Sequence, residues 1–243
     1  MGLQLGDVQT TALIPLAIKA SETMRKKARI KDEKALEIIR TLNINTKIYD
    51  KFMSHEGVVA RTIMLDRQLK GIIKNAPDTV VVNVGAGFDN RFSRVDNGKI
   101  AWFDLDLPDS IAAREKVFPK QDRVTMIAGN ALENDWCDTV KKAVNDRKSK
   151  PVFIAEGLFM YFTLDQIRTF LNILKDNFPN GGILIAEQNC KMMAKNEKYH
   201  DTVKNTNARF LSGSDSGQEI ADLTDGIRLV ENQPAHSRDF SRE

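Results

Sequence analysis

"TVVVNVGAGFDNRF", Thr79–Phe92, is the stretch whose reading decides the fold. Apolar and β-branched residues lead to Asn83 and Val84, Gly85 and Gly87 flank Ala86, and an acid (Asp89) and a base (Arg91) follow. A strand that ends in Gly-Ala-Gly turns tightly at the first glycine, and the second removes a Cβ where something comes close to the backbone. Alone, the same pattern also serves a plain turn from strand to helix.

Outward from this stretch, short apolar runs alternate with helical patterns. "KIAWFDLD" (99–106), "RVTMIAG" (123–129), "PVFIAEG" (151–157) and "GILIAEQ" (182–188) read as further strands, and "GIRLVENQ" (226–233) as a sixth, weaker one. Helical spacing lies between them at 108–117, 135–144 and 164–178. Continuous apolar strands separated by helices predict parallel pairing with both faces covered, and right-handed crossovers then give an α/β, doubly wound, Rossmann-like and mostly parallel sheet. Before Thr79 the periodicity is helical: residues 10–24, a helix capped by Asp32 over "EKALEIIRTL", and 57–74. The expected organisation is one domain over 1–243, with a helical cap over 1–75, a core over 76–189, and a helical insertion with the last strand over 190–243.

The 243 residues carry 36 Lys/Arg against 33 Asp/Glu, a net +3 that does not by itself point to nucleic acid. The balance is uneven, with 14 Lys/Arg against 8 Asp/Glu over residues 1–75. The densest run, "RKKARIK" (25–31), has no interleaved aromatics to stack on bases and reads as a solvated loop or helix end. Two isolated cysteines, Cys137 and Cys190, make neither a disulfide framework nor a zinc motif. No leader pattern and no spanning apolar run is visible. The expectation is a cytoplasmic protein with a small-molecule partner, no nucleic acid, no membrane and no metal.

A sheet of this kind binds ligands at the carboxyl ends of its strands, beside the switch in strand order. Asp104 and Asp106 end the second strand, 17 and 19 residues after Gly87, where a carboxylate can accept ribose hydroxyls. Asp106-Leu-Pro also suits a helix start at Pro108. The dinucleotide pattern asks for a third glycine where this chain has Asn90, and Asp89 places a charge that would repel pyrophosphate. S-adenosylmethionine, which has no phosphate, tolerates that acid and asks for a base to meet its carboxylate, with Arg61 or Lys19 as candidates.

"VVNVGAGFDNRFSRV", "WFDLDLP" and "IAEGLFMYFT", in that order, with "ARTIMLD" (60–66) ahead of them, resemble the leucine carboxyl methyltransferase-like family. The branch similar to the tetracenomycin-type polyketide O-methyltransferases is the nearest. The resemblance covers about 11–188 and implies a class I methyltransferase that uses S-adenosyl-L-methionine. It also implies that Gly85, Ala86 and Gly87 line the methionine part, that Asp106 with Leu107 meets the ribose, and that Asn130 and Ala131 flank the adenine. Glu156 with Gly157 would face the amino-acid end, Arg61 would pair with its carboxylate, and Lys19 is a looser match. Two departures stand out: Asn90 replaces the family's usual threonine, and the chain ends sooner after Asn232 than its relatives, so the last strand is expected to be missing or irregular.

Methyl transfer needs a nucleophile, a methyl group and a leaving group in line, so orientation and desolvation can supply much of the rate. Tyr161, in "LFMYF", is the candidate to orient an acceptor oxygen, while Phe159 and Phe162 read as packing. None of His55, His200 and His236 is nominated as catalytic; for His55 a capping or surface role is as good a reading as a place at the pocket. The expected function is O-methylation of a small molecule's hydroxyl or carboxyl. The alternatives are methylation of a protein C-terminal leucine carboxylate and a catalytically incomplete cofactor-binding module.

Overall fold

The apolar runs become the strands of one sheet: β1 (Val80–Val84), β2 (Ala101–Asp106), β3 (Val124–Ala128), β4 (Pro151–Ala155) and β5 (Ile183–Ala186). The structure is a computed structural model that describes residues 9–195 and 208–233. All four ladders are parallel and the order is β3-β2-β1-β4-β5, so the direction of winding reverses between β1 and β4. The helices are α1 (Leu13–Thr23), α2 (Glu33–Thr41), α3 (Thr46–Tyr49), α4 (Phe52–Asn75), α5 (Arg91–Val95), α6 (Pro108–Glu115), α7 (Cys137–Arg147), α8 (Leu164–Asn177), α9 (Lys191–Lys195) and α10 (Gly217–Ala221).

The central strands β1 and β4 are buried along their whole length because each face has its own apolar partner. Val80, Val82 and Val84 join Phe103, Leu105, Phe153 and Ala155 against α7 and α8 on one face. The alternate residues Val81, Trp102, Val152 and Ile154 pack with Leu69 and Ile73 of α4 on the other. On the first face Trp136, Phe153 and Phe178 form an aromatic cluster with centroids 5.1 to 6.3 Å apart.

Local signals place the helix ends. Asp32 accepts the Ala35 N–H at 3.0 Å as the N-cap of α2, and Thr163 with Gln166 closes a capping box on α8. Pro15 is accommodated in the first turn of α1, where its missing N–H has no intrahelical acceptor to lose. A 3₁₀ turn, Gln9–Ala12, leads into α1. The N-terminal helices pack through Ile14 and Ile18 of α1 against Val58 and Val59 of α4. Helix α4 therefore contributes to both layers, its first half to the helical cap and its second half to the sheet face.

Residues 226–233 differ from the sequence expectation. They form no strand, although Ile227 packs against the core, and β5 has a ladder on one side only among the described residues. Their pattern is too weakly apolar to compete: Arg228, Glu231 and Asn232 interrupt it, and a strand needs a continuous face to bury. In the expected insertion, α9 covers Lys191–Lys195, residues 208–210 are not helical, and 196–207 lie outside the described residues. No helix among the described residues is long and apolar enough to cross a membrane.

Candidate functional site

Reversal of winding between β1 and β4 opens a crevice at the carboxyl ends of the strands. A cleft of about 2200 Å3 runs through it, and Lys19, Arg61, Gly85, Ala86, Gly87, Asp106, Leu107, Asn130, Ala131, Glu156, Gly157 and Tyr161 all line it. The structure thus brings every site residue expected from the sequence to one place.

The glycine loop is held from below and covered from above. Leu105 O accepts the N–H groups of Gly85 at 2.8 Å and Ala86 at 3.2 Å. Gly87 has φ +48°, and a Cβ there would lie 2.9 Å from the Ala12 Cβ. At Gly85, with φ +69°, a Cβ would lie 3.1 Å from Leu158 Cδ1. Both positions require glycine for their backbone conformation and for the approach of a neighbouring side chain.

Of the two acids ending β2, Asp104 is sealed in. It accepts hydrogen bonds from Asn83 Nδ2 (3.1 Å), Trp102 Nε1 (2.9 Å) and Arg114 Nη2 (2.7 Å), and is fully buried. Asp106 lies at the cleft. Its Oδ2 accepts the Gly87 N–H and its Oδ1 the Leu107 N–H, each at 2.7 Å. Burial pushes its carboxyl above the usual carboxylate value, against the pull of those two N–H groups. Helix α6 takes Leu107 as its N-cap, so Asp106 is not simply its cap.

At the end of β4 the electrostatics reverse. Glu156 accepts from Arg61 Nε at 2.9 Å and from Arg91 Nη2. Arg61 Nη1 also donates to Glu187 Oε1 at 3.2 Å, and Glu187 Oε2 accepts the Gly157 N–H at 2.8 Å. Arg91, fully buried, further donates to Asp66 (2.7 Å) and Asp89 (2.8 Å). Burial alone would raise the Glu156 carboxyl, but Arg91, Lys19 and Arg61 outweigh it and hold the pKa at about 2. Glu187 also lines the cleft, and Arg91 and Asp66 stand behind its wall; the sequence pattern selects none of the three. Glu187 follows β5 as Glu156 follows β4, a signal that was available.

Asp89 corrects one inference from the sequence. Its carboxylate is paired with Lys19 at 2.6 Å as well as with Arg91, and Arg94 lies at 3.4 Å. Burial raises it, and these three cations bring it well below the ordinary value. An Asp89 paired in this way repels a phosphate less than a free carboxylate would, so its charge alone is a weaker argument against a dinucleotide. Lys19, the looser match to the family pattern, is buried.

Asn130 Oδ1 accepts the Leu132 N–H at 3.0 Å, which turns the chain after β3 and leaves Ala131 against the core. Tyr161 is tilted against Phe210 with centroids 5.8 Å apart, and burial raises its phenol, opposed by a hydrogen bond with Thr11. Phe159 is in the core and stacks with Phe162 at 6.4 Å, as expected. His55 is neither a cap nor on the surface. It is buried with Nδ1 2.6 Å from Asp50 and Nε2 2.9 Å from Glu22, and it does not line the cleft. His200 and His236 lie outside the described residues.

Comparison with known proteins agrees with this architecture. The model of the family described as leucine carboxyl methyltransferase matches residues 12–175. The tetracenomycin polyketide synthesis O-methyltransferase TcmP of Streptomyces glaucescens is 25% identical over 231 residues, covering 94% of this chain and 83% of that protein. A Frankia alni protein provisionally named as an S-adenosyl-L-methionine-dependent methyltransferase is 29% identical over 127 residues, 47% of this chain and 42% of that protein. Among solved structures, a provisionally named methyltransferase from Thermobifida fusca superposes with a TM-score of 0.55 at 13% identity, over 88% of this chain and 81% of that one, and shares its fold.

Proposed function

The chain belongs to the leucine carboxyl methyltransferase family, and on that premise we propose that it is an S-adenosyl-L-methionine-dependent O-methyltransferase of a small molecule. The observation that carries the reading is the pairing, across one crevice, of a carboxylate without a contact ion pair and a cluster of both charge signs. Asp106 stands beside the glycine loop, and Arg61 stands with Glu156 and Glu187 at the ends of β4 and β5. The donor set fits this cofactor: its carboxylate, ammonium and sulfonium call for one base and several acids, and a diol calls for a carboxylate.

Gly85, Ala86 and Gly87 let the backbone approach the methionine part, and Asp106, next to Leu107, accepts the ribose hydroxyls. Asn130 and Ala131 flank the adenine. Glu156 and Gly157 face the amino-acid end, where Arg61 meets the carboxylate and Lys19 holds Asp89 in place. When bound, the cofactor supplies a methyl group already activated on a sulfonium. The protein's part is then to orient and to exclude water: Leu158 and the cap helices cover the glycine loop, and Tyr161 orients the acceptor oxygen.

Isothermal titration with S-adenosylhomocysteine and with NAD tests the reading. Binding of the first and none of the second is expected, and tight NAD binding without an adenosylhomocysteine signal would sink it. Radiolabelled methyl incorporation into small phenols and acids, with none into intact protein, then separates it from methylation of a protein C-terminus.

A further inference from the structure

The run "RKKARIK" is not used by the cleft, and the structure shows what surrounds it. Hydrogen bonding of His55 to Glu22, and of Arg29 to Glu56 at 2.7 and 2.9 Å, brings the C-terminal end of α1 against the N-terminal end of α4. The basic loop after α1 and the α3–α4 corner therefore form one end of the cap. There the acids turn inward: Glu22 is paired with His55, Arg25 and Arg29, Asp50 with His55, and Glu56 with Arg29. The lysines stay outside. Lys26, Lys27, Lys31 and Lys47 are exposed and make no ion pair with any described residue, and Lys51 donates only to the Lys47 carbonyl at 2.9 Å.

Large apolar side chains stand among them. Phe52, the first residue of α4, is 81% exposed, Met24 60% and Ile48 49%. An ordinary surface shows such residues singly, whereas here they share one end of the molecule with a mostly basic field, in which Glu33 is an exposed acid. We propose that this end of the cap is a docking surface for an anionic lipid bilayer, with Phe52, Ile48 and Met24 entering the headgroup boundary and the lysines meeting the phosphates. An acidic protein would answer the lysines, yet it would leave no reason for protruding apolar side chains on short, separate corners. Nucleic acid would call for several stacking aromatics along the basic run; it has none, and at the adjoining corner Phe52 is exposed while Tyr49 is half-buried. Met53, Ser54 and Gly57 line the cleft, so docking sets the cleft mouth at the bilayer, where a lipophilic acceptor partitions.

Co-sedimentation of the full chain with vesicles tests this, using phosphatidylglycerol–phosphatidylcholine vesicles against pure phosphatidylcholine. Binding to the anionic vesicles alone is expected, weakening with salt. The double variants Ile48→Ser/Phe52→Ser and Lys26→Glu/Lys27→Glu should each lower partitioning by at least about tenfold. Both should keep the wild-type thermal midpoint and adenosylhomocysteine affinity, which separates loss of docking from loss of fold. No binding to anionic vesicles, equal binding to neutral ones, or binding indifferent to Ile48→Ser/Phe52→Ser would overturn the proposal. So would a concentration-dependent dimer that Phe52→Ser abolishes, since the face would then belong to a second copy of this chain.

Discussion

Two strand ends on the same sheet make opposite use of a half-buried acid. At the end of β4, Glu156 is gripped by Arg61 and Arg91 and held at about 2, a permanently charged member of a cross-linked network. At the end of β2, Asp106 is met by the Gly87 and Leu107 N–H groups and the Ser110 side chain, with Arg114 at longer range, and burial still lifts its carboxyl above the ordinary value. The first carboxylate has its countercharges built in; the second makes no contact ion pair with a described residue. On the proposed reading, that leaves Asp106 to receive hydroxyl donors.

The contrast breaks most readily at Arg91. Arg91→Met leaves Asp66, Asp89 and Glu156 short of a partner in the interior and should cost about 3–5 kcal/mol of stability, read from denaturant midpoints. A loss below about 1 kcal/mol would mean that the network rearranges freely.

Acid titration sharpens it next. Glu156 has a folded pKa depressed from 4.5 to about 2, so its contribution is complete above about pH 4.5, shrinks as pH falls, and is gone below about 2. That contribution is on the order of 3 kcal/mol. Glu156→Gln should flatten the fall in stability across that window. An unchanged pH profile would remove Glu156 from the framework.

Gly87→Ala is expected to be milder. Its left-handed backbone and the Ala12 Cβ at 2.9 Å from an added methyl predict a loss of about 1–2 kcal/mol. The Gly87 N–H that meets Asp106 should shift with it, weakening adenosylhomocysteine binding in the same titration. Equal affinity would separate the turn from the receptor.

Asp106→Asn should move stability least and binding most. A carboxyl whose folded pKa is raised loses stability as pH rises through 3.8 to its folded value, so removing the charge helps, while the amide can accept only one of the Gly87 and Leu107 N–H groups; the two effects oppose and the neutral-pH midpoint should move little. Adenosylhomocysteine affinity should fall at least about tenfold, because the amide cannot accept from two hydroxyls with both atoms. A destabilised variant with full affinity would reverse the two roles.

Much of this was legible in advance for a physical reason. The strands, the Asp32 cap and the glycine turn depend on a few adjacent residues, so periodicity and local hydrogen bonding predict them. Residues 226–233 failed because Arg228, Glu231 and Asn232 leave too little apolar face to hold a strand on the sheet edge, and a short weak run does not show that in advance. His55 failed because a single histidine carries no sign of its burial; its two carboxylate neighbours are five and 33 residues away. Asp89 was visible as a charge, but not as a paired one.

By itself, then, the sequence determined the parallel sheet, the glycine turn and the presence of acids at the strand ends, since each follows from local geometry and side-chain burial. The tertiary structure alone decided which acids are already answered. Lys19 reaches Asp89 across 70 residues and Arg61 reaches Glu156 across 95. Coulombic attraction depends on distance in space and on the dielectric around it, and neither is written in the order of the chain.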